Sequence, residues 1–197
     1  MNSKSSSFPI TRAGQNIASD IVIIDGFSSS GKSLISPILG YLKKTEQWQI
    51  NYIYEYIAIL HFNGEISTQS ATSFLKLQAD NHLYDLMIGR NVNFRKTDSS
   101  SPYFDGLEEI YLSRIEQLEG DHVLSKAENK GLILPLHVHY LFGKTDILYK
   151  SFDKNLKLYL TVIRDPFLLI QTWFNSGFPR YLCKKSREFT ICCKCEG

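Results

Sequence analysis

Apolar and polar positions along the chain change period several times, and each change marks an element. Ile21-Val-Ile-Ile24 is an unbroken apolar run closed by Asp25, the pattern of a strand at 20–25 buried on both faces. Leu34, Ile35, Ile38, Leu39 and Leu42 then recur at helical spacing and predict a helix over 32–43, with Pro37 as its weak point. Gln49–Tyr56 is rich in β-branched and aromatic residues and reads as a second strand. Ser67–Arg90 carries a stripe of Phe74, Leu75, Leu77, Leu83, Leu86 and Met87, a long helix that Ser67 or Thr68 is placed to cap. Residues 91–106 read as a loop, and 107–118 and 121–129 as helices. Leu132–Tyr140 is an apolar run with two histidines, a third strand. A short helix over Lys144–Phe152, a strand over Leu156–Arg164 and a helix over Phe167–Phe174 complete the pattern. Strands separated by helices predict a parallel sheet covered on both faces, with ligands outside the carboxyl ends of the strands.

What joins the first strand to the first helix carries the chemistry. Gly26-Phe-Ser28-Ser29-Ser30-Gly31-Lys32-Ser33 fits the G-x-x-x-x-G-K-[ST] pattern between a buried strand and a helix. Glycines let the backbone curl so that successive N–H groups face an anion, and the helix start adds unpaired N–H groups. Lys32 supplies a cation for a phosphoanhydride. The expected fold is therefore α/β, a P-loop NTPase-like three-layer architecture with a central parallel sheet.

Composition adds bounds. The 197 residues suit one principal domain, and a formal net charge of +2 with no basic block argues against nucleic acid. No apolar run reaches the about 18 residues of a membrane span. Residues 1–19 are polar and Ser-rich and read as a disordered arm; 20–180 read as the nucleotide-binding domain, and 181–197 as a Cys/Lys-rich tail. All four cysteines, Cys183, Cys192, Cys193 and Cys195, fall in that tail without paired C-x-x-C knuckles, which points to reduced thiols in a cytoplasmic protein and no metal site.

A second motif lies downstream. Val162-Ile163-Arg164-Asp165-Pro166 closes the late strand, and Thr172 stands eight positions after the arginine. This segment resembles the 3′-phosphate-binding motif of the sulfotransferases that use 3′-phosphoadenosine 5′-phosphosulfate. Gly26–Ser33 is similar to that family's 5′-phosphosulfate loop. Aligned on Ser30-Gly31, the family's lysine falls on Ser29, and Lys32 stands where the family has threonine. The resemblance covers about residues 20–180. It implies sulfuryl transfer from 3′-phosphoadenosine 5′-phosphosulfate to a hydroxyl or amine of a small-molecule or glycan acceptor. The co-substrate site would comprise Gly26, Ser28, Ser29, Ser30, Gly31, Lys32, Ser33, Arg164 and Thr172. Catalysis would rest on Lys32 and a histidine. The displaced lysine keeps an ATP-dependent small-molecule kinase as the alternative. A shorter ending than the family's makes an inactive nucleotide-binding fragment a third reading.

The family carries a histidine base on the strand before the arginine. Here Leu134-Pro-Leu-His137-Val-His139 offers two, which strand alternation places on one face. His139 is the expected base and His137 its neighbour or a substrate contact; buried structural roles fit both equally. Glu55, at the expected end of the second strand, is the rival base. His61, His82 and His122 read as helix or surface residues. Arg90, Arg95 and the loop Asp98–Ser101 are candidate anion contacts, more simply read as a solvated loop.

Overall fold

The computed structural model describes residues 10, 11, 14, 16–118, 121–139, 141 and 143–177. The cysteine-rich tail and most of the polar arm lie outside them. The chain divides into two compact units, residues 1–162 and 163–197.

The first unit is an α/β structure around a four-stranded, all-parallel sheet. In chain order it comprises β1 (Asp20–Gly26), α1 (Lys32–Gly40), β2 (Gln49–Ile50), α2 (Ile53–Phe62), α3 (Thr68–Met87), α4 (Pro102–Asp105), α5 (Glu108–Ile115), α6 (Asp121–Lys130), β3 (Ile133–His137), α7 (Asp146–Phe152), a 3-10 turn at Asp153–Asn155 and β4 (Leu156–Val162). The strand order is β2-β3-β1-β4, so the phosphate-type loop leaves an inner strand. β1 pairs with β3 from Asp20 opposite Ile133 to Ile24 opposite His137. That register brings the carboxyl ends of the two strands side by side.

Alternation along β1 and β3 sorts the two faces. Ile21, Ile23, Leu134 and Leu136 join Tyr54, Ala58, Leu75, Leu83, Ile147 and Leu148 of α2, α3 and α7 in the main core. His137 faces the other way, toward α1, where the Ser36 hydroxyl lies 2.9 Å from its Nδ1. Helices thus cover both faces of the sheet, as the pattern of elements requires.

Several expectations are corrected, among them the loop over 91–106, which holds the short helix α4 capped by Ser101. The segment 49–56 is not one strand: β2 is two residues long and α2 starts at Ile53. The Asn51 side chain accepts from Ile53 N and begins the turn. Tyr54, Ile57 and Ala58 then bury one face of a helix, so packing overrides the β-propensity of Tyr-Ile-Tyr. The apolar stripe of α1 faces outward, with Leu34 75% and Ile38 64% exposed. The loop fixes this rotation by turning Lys32 inward, and Ser36, one turn later, inherits the sheet side. Finally, β3 stops at His137, so strand alternation does not govern His139.

The long helix is as expected, with Ser67 Oγ accepting from Ser70 N at 3.1 Å as its cap. Among the described residues, no helix is long and apolar enough to cross a membrane.

The second unit contains α8 (Pro166–Asn175). Asp165 caps it, its Oδ1 accepting from Phe167 N at 2.9 Å and Leu168 N at 3.0 Å, and Pro166 opens the first turn. The Asp-Pro pair thus has a local structural reason independent of any ligand.

Candidate active site

The site is built on the Gly26–Ser33 turn. Gly26 has φ 145°, and a Cβ there would lie 2.5 Å from the carbonyl oxygen of Val162. Ser29 has φ 66° and Gly31 φ 107°, left-handed positions that curl the chain. Ser30 N donates to Phe27 O at 3.1 Å and Leu34 N to Gly31 O at 3.0 Å, closing the turn onto the start of α1. Gly31 is the helix cap with no side chain, so the first-turn N–H groups are not blocked.

Lys32 is buried beneath this loop. Its Nζ donates to Gly26 O at 2.6 Å and Phe27 O at 2.8 Å. An ammonium has three donors, and these bonds take two of them. Burial lowers the Lys32 pKa to about 8, partly opposed by the charges of Asp25 and Glu55. Asp25 is itself buried; it accepts from Gly26 N at 2.7 Å and from the Tyr159 hydroxyl at 2.9 Å. Sequence reasoning passed over Asp25, whose signal was an acid closing a buried strand just before the loop glycine. Among the described residues the buried Ser30 hydroxyl has no hydrogen-bond partner. Curled glycines, an ammonium with one donor left over and that hydroxyl suit an oxyanion.

A cavity of about 150 Å³ opens beside the loop. Ser28, Ser29, Gly31, Lys32 and Ser33 line one side. Trp48, His137 and His139 line the other. The structure thus gathers the loop and both histidines at one place.

The two imidazoles have separate anchors. Their ring centroids are 5.0 Å apart at 40°. His139 Nδ1 lies 3.1 Å from Glu55 Oε1, which also accepts from His139 N at 2.7 Å. Glu55 sits in the first turn of α2, from the opposite face of the sheet to Ser36. The carboxylate read as a rival base is thus the partner that orients His139. With Nδ1–H donated to Glu55, the lone pair is on Nε2. Trp48 stacks on His137 at 4.6 Å between centroids. Burial, helped by the charges of His139 and Lys32, lowers the His137 pKa to about 3 and keeps that ring neutral. Trp48 was also missed; it follows a polar Glu-Gln pair and gave no periodic signal.

The other candidates are placed as follows. Arg164 and Thr172 belong to the second unit, where Thr172 Oγ1 donates to Leu168 O at 2.7 Å. Arg90 and Arg95 pair with Asp85 and Asp98 at 3.7 and 3.6 Å, local ion pairs of the kind a solvated loop makes. His82 is a buried residue of α3, 3.2 Å from the Tyr54 hydroxyl, and His122 is exposed on α6. Among the described residues, no group of three or more His, Cys, Asp or Glu side chains converges as a metal site.

The fold and site thus define an α/β protein with an anion-suited turn after its first strand. The chain matches no protein-family model, no curated protein and no solved structure.

Proposed function

We propose that the protein has a P-loop-type nucleotide fold and is a sulfotransferase, moving a sulfuryl group from 3′-phosphoadenosine 5′-phosphosulfate to a hydroxyl or amine. The observation that carries this reading is the shared cavity of Lys32, the Gly26–Ser33 loop and a carboxylate-oriented histidine. A base beside an anion cradle suits transfer of a charged group to a protic acceptor. The resemblance of Arg164-Asp-Pro and Thr172 to the 3′-phosphate motif selects sulfuryl over phosphoryl transfer.

Each residue then has a task. His139 Nε2 takes the acceptor proton as the acceptor atom attacks sulfur. The bond from sulfur to the 5′-phosphate oxygen breaks in line. Loop N–H groups and the remaining donor of Lys32 meet the charge that develops on that oxygen. Glu55 fixes the tautomer of His139 and stabilises the imidazolium that forms. Arg164 offers a planar fork to the 3′-phosphate.

Titration calorimetry tests the class. Adenosine 3′,5′-bisphosphate binds without Mg²⁺ and more tightly than ATP; tighter, Mg²⁺-dependent ATP binding makes the protein a kinase. Arg164→Ala weakens the bisphosphate roughly ten- to a hundred-fold and spares adenosine 5′-phosphate, as expected for a lost charge-assisted contact of about 1.5–3 kcal/mol. Equal losses for both ligands remove the 3′-phosphate role. Thr172→Val costs less, because its hydroxyl proton already serves Leu168 O.

Glu55→Gln tests the dyad. Radiolabel transfer falls by about 10²–10⁴-fold, the range for disabling a positioned base, while bisphosphate affinity stays within about threefold. Unchanged transfer with a folded variant removes Glu55 as the group that orients His139.

A further inference from the structure

His137 has one nitrogen whose use the proposed chemistry does not explain. The Ser36 hydroxyl donates to Lys32 O at 3.1 Å, so its proton is committed within α1. The 2.9 Å contact to His137 Nδ1 then has the oxygen as acceptor and Nδ1 as donor. That tautomer leaves a lone pair on Nε2, on the side of the ring away from Ser36. Among the described residues no protein group bonds Nε2, and His137, buried apart from 4% of its surface, lines the cavity. Trp48 covers one ring face and holds the plane. An acceptor fixed in the wall of a cavity favours ligands that bring the matching N–H or O–H over those that lack it.

We propose that His137 Nε2 selects the acceptor: it accepts a hydrogen bond from a second hydroxyl or N–H, adjacent to the one that loses its proton to His139. The acceptor class is then a vicinal diol or amino alcohol, as on a sugar ring, and not a simple alcohol or phenol. This rests on the sulfotransferase reading for which group is transferred, and on His137 alone for the shape of the acceptor. Two adjacent hydroxyls on one ring are spaced closely enough for imidazoles with centroids 5.0 Å apart to take one each. The ring stays neutral throughout the working range, because burial beside Lys32 and His139 holds its pKa near 3. His137 therefore remains an acceptor where an ordinary histidine would become a donor.

The experiment is a ¹⁵N-histidine NMR titration of the full chain with cis-1,2-cyclohexanediol and with cyclohexanol, repeated with His137→Asn and His137→Gln. Asparagine places its amide near Nδ1 and keeps the Ser36 bond; glutamine places an acceptor oxygen near Nε2. In the native chain, His137 Nε2 resonates as an unprotonated nitrogen and moves with the diol far more than with cyclohexanol. The Asn variant binds the diol about tenfold more weakly and no longer prefers it, and the Gln variant recovers to within about threefold. An Nε2–H tautomer, an equal response to both alcohols, or an Asn variant that keeps the diol preference while Gln loses it overturns the proposal. The last pattern assigns His137 a structural role through Ser36. Adenosine 3′,5′-bisphosphate titrated into the same samples tests the sulfotransferase reading separately. Diol selectivity without bisphosphate binding overturns that reading and leaves the role of His137 standing.

Discussion

Replacing Lys32 with methionine is expected to lower sulfuryl transfer by about 10²–10³-fold, the loss seen when one preorganised donor to a developing oxyanion is removed. Methionine keeps an unbranched stem close to that of lysine but loses the bonds to Gly26 O and Phe27 O, 2.6 and 2.8 Å in the native loop. The same residue sets a pH dependence with two opposite signs. Its folded pKa of about 8 lies below the ordinary lysine value of 10.5, because burial disfavours the ammonium. Between these values the unfolded chain binds the proton and the folded chain does not, so this group makes stability rise with pH across that window. Anion affinity falls across the same window, since the neutral amine no longer attracts the phosphate. A bound anion restores the ammonium, so binding at pH 9 takes up a proton that binding at pH 7 does not. Calorimetry in two buffers of different ionisation enthalpy measures this uptake. Its absence, or its persistence in Lys32→Met, removes Lys32 from the anion site.

The largest loss of stability is expected from Gly26→Ala. A Cβ there meets Val162 O at 2.5 Å, on the neighbouring strand, and the residue would also have to hold φ 145°. Backbone strain alone costs about 1–3 kcal/mol, and the carbonyl of β4 cannot move without breaking its pairing with β1. Together these put the loss above about 3 kcal/mol, a large part of the about 5–15 kcal/mol that holds a domain folded. Gly31→Ala separates the two causes, because a Cβ at that position has open space around it but the same kind of φ, 107°. It should lose only the strain term, about 1–3 kcal/mol. Gly40→Ala, at the end of α1 with nothing within 4 Å, should be neutral or stabilising by up to about 1 kcal/mol. Urea denaturation of the three variants reads the series. A Gly26→Ala loss no greater than that of Gly31→Ala means that the approach to Val162 costs nothing.

The loop was legible because its requirements are local. A buried strand, glycines at positive φ, a lysine and a helix start lie within a dozen residues, and each residue type has a physical reason to be there. The parallel sheet followed from the alternation of strand and helix patterns. β2 and α2 were misread because Ile-Asn-Tyr-Ile-Tyr satisfies both periods over so short a span. Only burial of Tyr54, Ile57 and Ala58 against α3 and α7 decides for the helix. That correction changes the chemistry, because a Glu55 at a strand end competes with His139, whereas a Glu55 on α2 holds it.

The sequence by itself determined the kind of turn after the first strand, the residue that carries its charge and the presence of two histidines on the late apolar run. Tertiary structure decided what those histidines are. Ser36 and Glu55 lie 101 and 84 residues from their imidazole partners and approach from opposite faces of the sheet. No spacing rule links them, because the β1–β3 register and the rotation of α1 and α2 bring them together. Tautomer, charge and role follow from those contacts, so they exist only once the chain is folded.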